Sequence, residues 1–188
     1  MRSARLLALI TVLALAPGLL SACTSPSSNQ DGASMSRVQH YASLDELSDA
    51  SAVVVVGSVV DQTVARDIDE LTEFTISTVQ IDEVVKSDGT HQAGDTIQVR
   101  QLGGGEQAAP TPVLSTESKY LLYLTPSGLA APLDSQFYVT GANAGVYASA
   151  GASARGTEVT SEFLQVDAEP GEQLPSVIEV DDALRAAQ

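Results

Sequence analysis

Ala52-Val53-Val54-Val55-Val56-Gly57-Ser58-Val59-Val60 is the stretch that most limits what this chain can become. Valine is branched at Cβ, which costs it rotamer freedom in a helix and suits it to a pleated surface. The run is too apolar to alternate between a wet and a dry face. It therefore predicts a central strand covered on both sides, with Gly57 marking a kink or bulge.

The rest of the chain follows this lead. A long strand is predicted from about Leu71 to Lys86, with Phe74 and Ile76 in one phase and Val79 and Ile81 in the other. A period of two that changes phase implies a bulge or sharp coil near Ser77-Thr78. Lys86-Ser87-Asp88-Gly89 turns the chain, and Thr96 to Arg100 is a strand with Ile97 and Val99 inward. Gly103-Gly104-Gly105 ends it, and loop follows through Pro112. Lys119 to Leu124 is the next strand, stopped by Thr125-Pro126-Ser127-Gly128. Phe137 to Val139 and Gly145 to Ala148 are shorter strands, and Thr157 to Thr160 is expected to fold back on the latter as an extra C-terminal hairpin. Ser43-Leu44-Asp45-Glu46 has the spacing of a capping box and predicts a short N-terminal helix that buries Leu44 and Leu47. Pro175 to Glu179 reads as the capped start of a C-terminal helix reaching Leu184, against the β preference of Val177, Ile178 and Val180. Five to seven strands with few helices give a mainly β fold. A small five-stranded barrel is the simplest form that seals its own edges and accepts one strongly bent strand.

The chain has a single cysteine, Cys23, so stability must come from the core rather than from disulfides. Ahead of it, Arg2 and Arg5 precede the apolar block Leu6 to Ala16 and then Pro17-Gly18, the build of a secretory signal peptide. That block is shorter than the ~20 residues a helix needs to span a bilayer. Leu20-Ser21-Ala22-Cys23 resembles the bacterial lipobox position for position. The resemblance implies a diacylglycerol group on the Cys23 sulfur, cleavage just before it and a new amino terminus open to acylation. Two acyl chains hold a protein on a membrane stably, at ~0.8 kcal/mol per buried CH₂. Residues 1–22 are then a lipoprotein signal peptide, 23–40 a lipid-anchored flexible tether and 41–188 the folded domain, on the extracytoplasmic face of the cell membrane. The polar stretch Thr24 to His40 lacks apolar periodicity, and a coil of that length reaches ~20–25 Å.

Whole-chain net charge is −15, and loss of Arg2 and Arg5 with the signal takes it to −17. Such a balance repels phosphate backbones and anionic bilayers, which argues against nucleic acid and for cations or basic proteins. A monomer is expected.

Several short motifs carry a second likeness. Ala52-x-Val54-Val55-Val56-Gly57-x-Val59, a long strand ending Val84-Val85-Lys86, Gly94-Asp95-x-Ile97-x-Val99 with Gly103-Gly104, and Tyr120 to Leu124 resemble, in order, an extracytoplasmic bacterial domain similar to the OB-fold barrels of the netrin/metalloproteinase-inhibitor type. The resemblance spans roughly Leu44 to Tyr147 and implies an OB-like five-stranded barrel with appended elements. It does not imply protease inhibition. In those inhibitors a free, disulfide-held amino-terminal Cys enters the protease, whereas Cys23 is lipid-bound and has no partner cysteine.

Chemistry is sparse. His40 and His91 are the only histidines, no G-x-S-x-G elbow occurs, and Cys23 is assigned to lipid. The densest acidic group, Asp67, Asp69, Glu70 and Glu73, offers oxygen ligands for a cation but lacks the offsets of an EF-hand loop; a solvated hairpin turn is the competing reading. Gly103-Gly104-Gly105 has neither a following helix nor a Lys-Ser/Thr, so it reads as a loop crossing the barrel mouth rather than a phosphate cradle. Tyr120, Tyr123, Tyr138 and Tyr147 read as core and barrel-edge packing, with a sugar or peptide surface as the competing reading. No cofactor beyond the covalent lipid is expected. The expected function is a noncatalytic binding module for an envelope protein or wall component. The alternatives are an enzyme acting on envelope polymers through paired carboxylates, or a carrier of a cation or small ligand using the acidic turn 61–73.

Overall fold

The valine run becomes the hub of the molecule because its two faces serve two different cores. The computed structural model describes residues 39–87, 89–151, 162–168 and 171–188, all within the second of two units, Gly32–Gln188. Its elements are α1 (Leu44–Asp49), β1 (Val53–Ala65), β2 (Phe74–Lys86), β3 (Thr96–Leu102), β4 (Lys119–Pro126), β5 (Gln136–Val139), β6 (Val146–Ser149), β7 (Glu162–Gln165), β8 (Val177–Glu179) and α2 (Val180–Ala186). The expected mainly β architecture, with a short N-terminal helix and a C-terminal helix, is what the chain adopts.

Strands run in the order β1-β2-β3-β5-β4-β6-β7-β8, and β1 also pairs with β4. That second pairing closes β1, β2, β3, β5 and β4 into a five-strand ring, antiparallel except for β3 beside β5. β4 gives its end, Leu124 to Pro126, to β5 and its start, Tyr120 to Leu122, to β6. From there β6, β7 and β8 extend the sheet outside the ring.

Inside the ring, Val53, Val55 and Val59 pack with Val79, Ile81, Ile97, Val99, Leu122 and Leu124. Val54 and Val56 point the other way, into a second core with Leu47, Leu121, Tyr123, Tyr147, Ile178 and Ala183. Burial on both faces is why this strand carries no polar phase. At Gly57 the register shifts, and a Cβ there would lie 2.6 Å from the Gln80 carbonyl oxygen and from Val79 Cγ1. A side chain has no room at that crossing.

The structure corrects several expectations. The irregularity predicted near Ser77-Thr78 sits on the partner strand: β1 shifts register between Val59 and Asp61, opposite Val79 and Thr78, while β2 pairs with β3 without a break. The phase change in β2 has another cause. Ile76 is buried on the outer side of the ring, directly across from Arg100. β2 begins at Phe74 rather than Leu71 because Asp69 Oδ1 accepts the Leu71 and Thr72 amides, 2.8 and 2.7 Å away, in a side-chain turn. Val177, Ile178 and Glu179 form strand β8, paired with β7, and the helix starts only at Val180, where Glu179 and Asp182 make a capping box. β propensity wins there because β7 offers an edge to pair with. The hairpin segment Thr157 to Thr160 lies outside the described residues; the strand seen paired with β6 is Glu162–Gln165.

The loop after β3 is more ordered than loop composition suggests. Gly103 and Gly104 hold positive φ, 77° and 100°, and a Cβ on Gly104 would strike Thr75 Oγ1 at 2.2 Å. These conformations fold the loop back over the ring end. There Leu114, 2% exposed, joins the interior core, and its amide donates to Gln101 Oε1 at 2.8 Å.

Tyr123 sits in the second core, fully buried, and its hydroxyl has no hydrogen-bond partner among the described residues. Burial pushes the phenol well above its ordinary value, with the charges of Asp182 and Asp45 adding to the effect. Tyr123→Phe removes only an unsatisfied polar atom. The variant is expected to be as stable as the parent or up to about 1 kcal/mol more stable by urea denaturation. A loss above about 1 kcal/mol would show that the hydroxyl has a partner.

Candidate functional site

Arg100 organises a polar centre buried outside the ring. In β3 it falls in the phase opposite Ile97 and Val99, which in a strand with one dry face would be solvent-exposed. Here it is fully buried. Its Nη1 and Nη2 donate to the two oxygens of Asp67, at 2.7 and 2.6 Å, and its Nε donates to Gln136 Oε1 at 2.7 Å. Gln136 in turn donates to Gln98 Oε1 at 3.1 Å, so β5 and β3 are tied by side chains as well as by the ladder. The guanidinium carbon stands 4.8 Å from the Phe74 ring centroid, a cation–π distance.

The fork on Asp67 holds its carboxyl below the ordinary carboxylate range, chiefly through the Arg100 hydrogen bonds and against some desolvation. A guanidinium cannot exchange its proton in this range, and its partner stays ionised. The pair positions chain segments; it does not shuttle protons.

The acidic turn is thereby divided. Asp67 goes to Arg100. Glu73, buried, pairs with Arg66 at 2.5 Å and accepts the Gln107 amide at 2.7 Å. Asp69 caps the turn, and its carboxyl too is lowered, mainly by hydrogen bonding to Thr72. Glu70 is exposed. The four predicted ligands are thus not gathered on one point, and among the described residues no three His, Cys, Asp or Glu side chains could hold a metal ion together.

A cleft of about 140 Å³ opens beside Arg100, bounded by Leu102, Pro110, Thr111, Tyr138 and Ala142. Ala142 has φ 59°, a left-handed conformation that a side chain seldom adopts, in the tight turn joining β5 to β6. A shallower groove of about 500 Å³ lies where α1 meets α2, between Ser43, Asp45, Asp182 and Arg185. Neither histidine lines either hollow. His40 is exposed; His91 stacks edge-on to Phe137 at 5.5 Å, with Nδ1 2.9 Å from Thr90 Oγ1. Tyr120, Tyr123 and Tyr147 are core residues, and only Tyr138 borders a cleft. The lipobox residues Leu20, Ser21, Ala22 and Cys23 lie outside the described residues.

Sequence reasoning did not single out Arg100 or Gln136. One signal was present: in a chain with 24 acids and nine Lys/Arg, a cation inside a predicted strand has many carboxylates to choose from. Which carboxylate it takes depends on the fold. Among the described residues no helix is long and apolar enough to cross a membrane. No protein-family model matches the chain, and no curated protein matches it.

Proposed function

We propose that this chain is a lipid-anchored lipoprotein of the extracytoplasmic membrane face, whose domain works by noncatalytic binding. The observation that carries this reading is Leu20-Ser21-Ala22-Cys23 after the apolar block Leu6 to Ala16. The polar stretch to His40 supports it, since a coil of that composition lets a domain swivel near the bilayer. The OB-type likeness belongs to the same proposal. It draws support from the closure of β1, β2, β3, β5 and β4 into a ring. An acidic turn in which Asp67 and Glu73 are taken up by ion pairs that fix its shape also suits a recognition surface better than a cation carrier.

Cys23→Ala tests the anchor. In the source cell, the parent is expected to fractionate with membranes and to incorporate labelled fatty acid; the variant is expected in the soluble extracytoplasmic fraction without label. A processed variant that stays with the membrane would refute the lipid anchor.

A further inference from the structure

The outer edge of β1 is open along its second half. On one side, Asp61 to Ala65 pair with Thr78 to Phe74 of β2. On the other, the ladder with β4 stops at Ser58 and Lys119, and the last main-chain bonds are Val59 N to Ser118 O at 3.0 Å and Glu117 N to Val59 O at 2.9 Å. Past these, among the described residues, no main-chain hydrogen bond joins Val60 to Ala65 to any segment but β2. The strands part where β1 bulges at Val60 and Glu117 turns through φ 64°.

An open edge is a surface on which another strand can pair, and proteins that must avoid this place lysine or proline along it or cover it. Val60 to Ala65 include no lysine or proline, and the loop after β3 meets them through side chains and not main-chain pairing: Gln62 Nε2 donates to the Leu114 carbonyl, and a Cβ on Gly105 would lie 3.0 Å from Val64 Cγ1. Val60 and Val64 are 54% and 50% exposed, and Leu71 in the adjoining turn is 89% exposed. The turn is also held in place, by the buried fork of Arg100 on Asp67 and by Glu73 on Gln107 and Arg66. A rigid apolar edge loses little entropy on binding.

Charge decides the occupant. The edge is bordered by the exposed carboxylates of Glu117, Asp61, Glu70 and Glu106, while the cations near it are already engaged, Arg66 with Glu73 and Glu106 and Lys119 with Asp82. A second copy of this acidic chain and an anionic bilayer are both repelled. We infer that β1 from Val60 to Ala65 is a strand-addition site for an extended segment of a partner protein that alternates apolar residues with Lys or Arg. Main-chain pairing supplies affinity, and the valines with Leu71 and the carboxylates supply selectivity. This inference rests on the binding-module reading and names its surface.

The test places a photo-crosslinking residue at Thr63, at Leu71 or, as control, at exposed Gln92 of the full chain in intact cells. The protein captured at the first two positions is identified, purified and titrated against the parent, Val64→Lys and Leu71→Ser. The expected result is capture at Thr63 and Leu71 but not Gln92, through a segment rich in Lys or Arg. Binding should weaken about tenfold or more in each variant, with unchanged melting temperature. Amide exchange at 61–65 should slow when the purified partner is added, a change that side-chain contact alone would not produce. Adducts with lipid only, capture no stronger than at Gln92, or unprotected amides would each overturn the inference. Capture of a protein solely from other faces would sink the edge while leaving the binding module standing; no captured protein from any position, together with hydrolysis of a wall polymer, would remove the module itself.

Discussion

Asp67→Ala is expected to destabilise the domain by about 2–4 kcal/mol, near the low side of the ~3–5 kcal/mol for breaking a buried pair, because the Asp67 side chain is 31% exposed and water can reach the gap. Arg100 has no such access. With Asp67 gone it keeps its charge in a buried place, with Gln136 as the acceptor that remains to it among the described residues. The measurement is urea denaturation, with a lowered midpoint and an unchanged slope. Asp67→Asn keeps the shape and one acceptor oxygen, and a smaller loss is expected. The pair also sets a pH dependence. Asp67 has a folded value below its ordinary 3.8. Its contribution is therefore complete above 3.8 and disappears as pH falls through the lower, folded value. The parent should lose stability in that acid window, and Asp67→Ala should lack this part of the loss. Equal acid sensitivity in both proteins would show that other carboxylates govern it.

Leu114→Ala carries the other large effect. Leu114 belongs to a loop, yet it is 2% exposed and packs among the interior valines and isoleucines of the ring. Truncation leaves a cavity in a place the strands cannot close, and a loss of about 2–4 kcal/mol is expected. A second readout separates this from ordinary core loss. Gln62 and Gln101 hold the main chain at Leu114 and Pro112 through side-chain hydrogen bonds. With the leucine removed, amide exchange in 105–117 should quicken more than in β4. If exchange rises uniformly, or the loss stays below about 1 kcal/mol, Leu114 does not pin this loop.

The strands were legible where side chains speak locally. Four successive valines could only satisfy a strand dry on both sides, and Gly57 announced the crossing that leaves no space for a Cβ. The capping position was also readable: Ser43 Oγ accepts the Glu46 amide at 3.2 Å. Boundaries were less so. Whether Leu71 to Glu73 extend a strand depends on the competing offer of Asp69 Oδ1, and whether Val177 to Glu179 form a strand depends on the neighbour β7.

The candidate site was legible only as composition. Asp67, Asp69, Glu70 and Glu73 stand close in sequence, so they read as one acidic group. The fold sends two of them to different arginines: Arg100 arrives from β3, and Arg66 sits on the same turn.

The sequence alone determined the mainly β class, the strand at Val53, the short helix at Leu44 and the resemblance of Leu20 to Cys23 to a lipobox, because each depends on neighbours along the chain. Only the tertiary structure decided that β1 closes a ring with β4, that Arg100 is buried on Asp67 and that the edge from Val60 to Ala65 stands open. Those outcomes depend on pairings between segments far apart in sequence, whose charges and edges find one another only after the chain has closed.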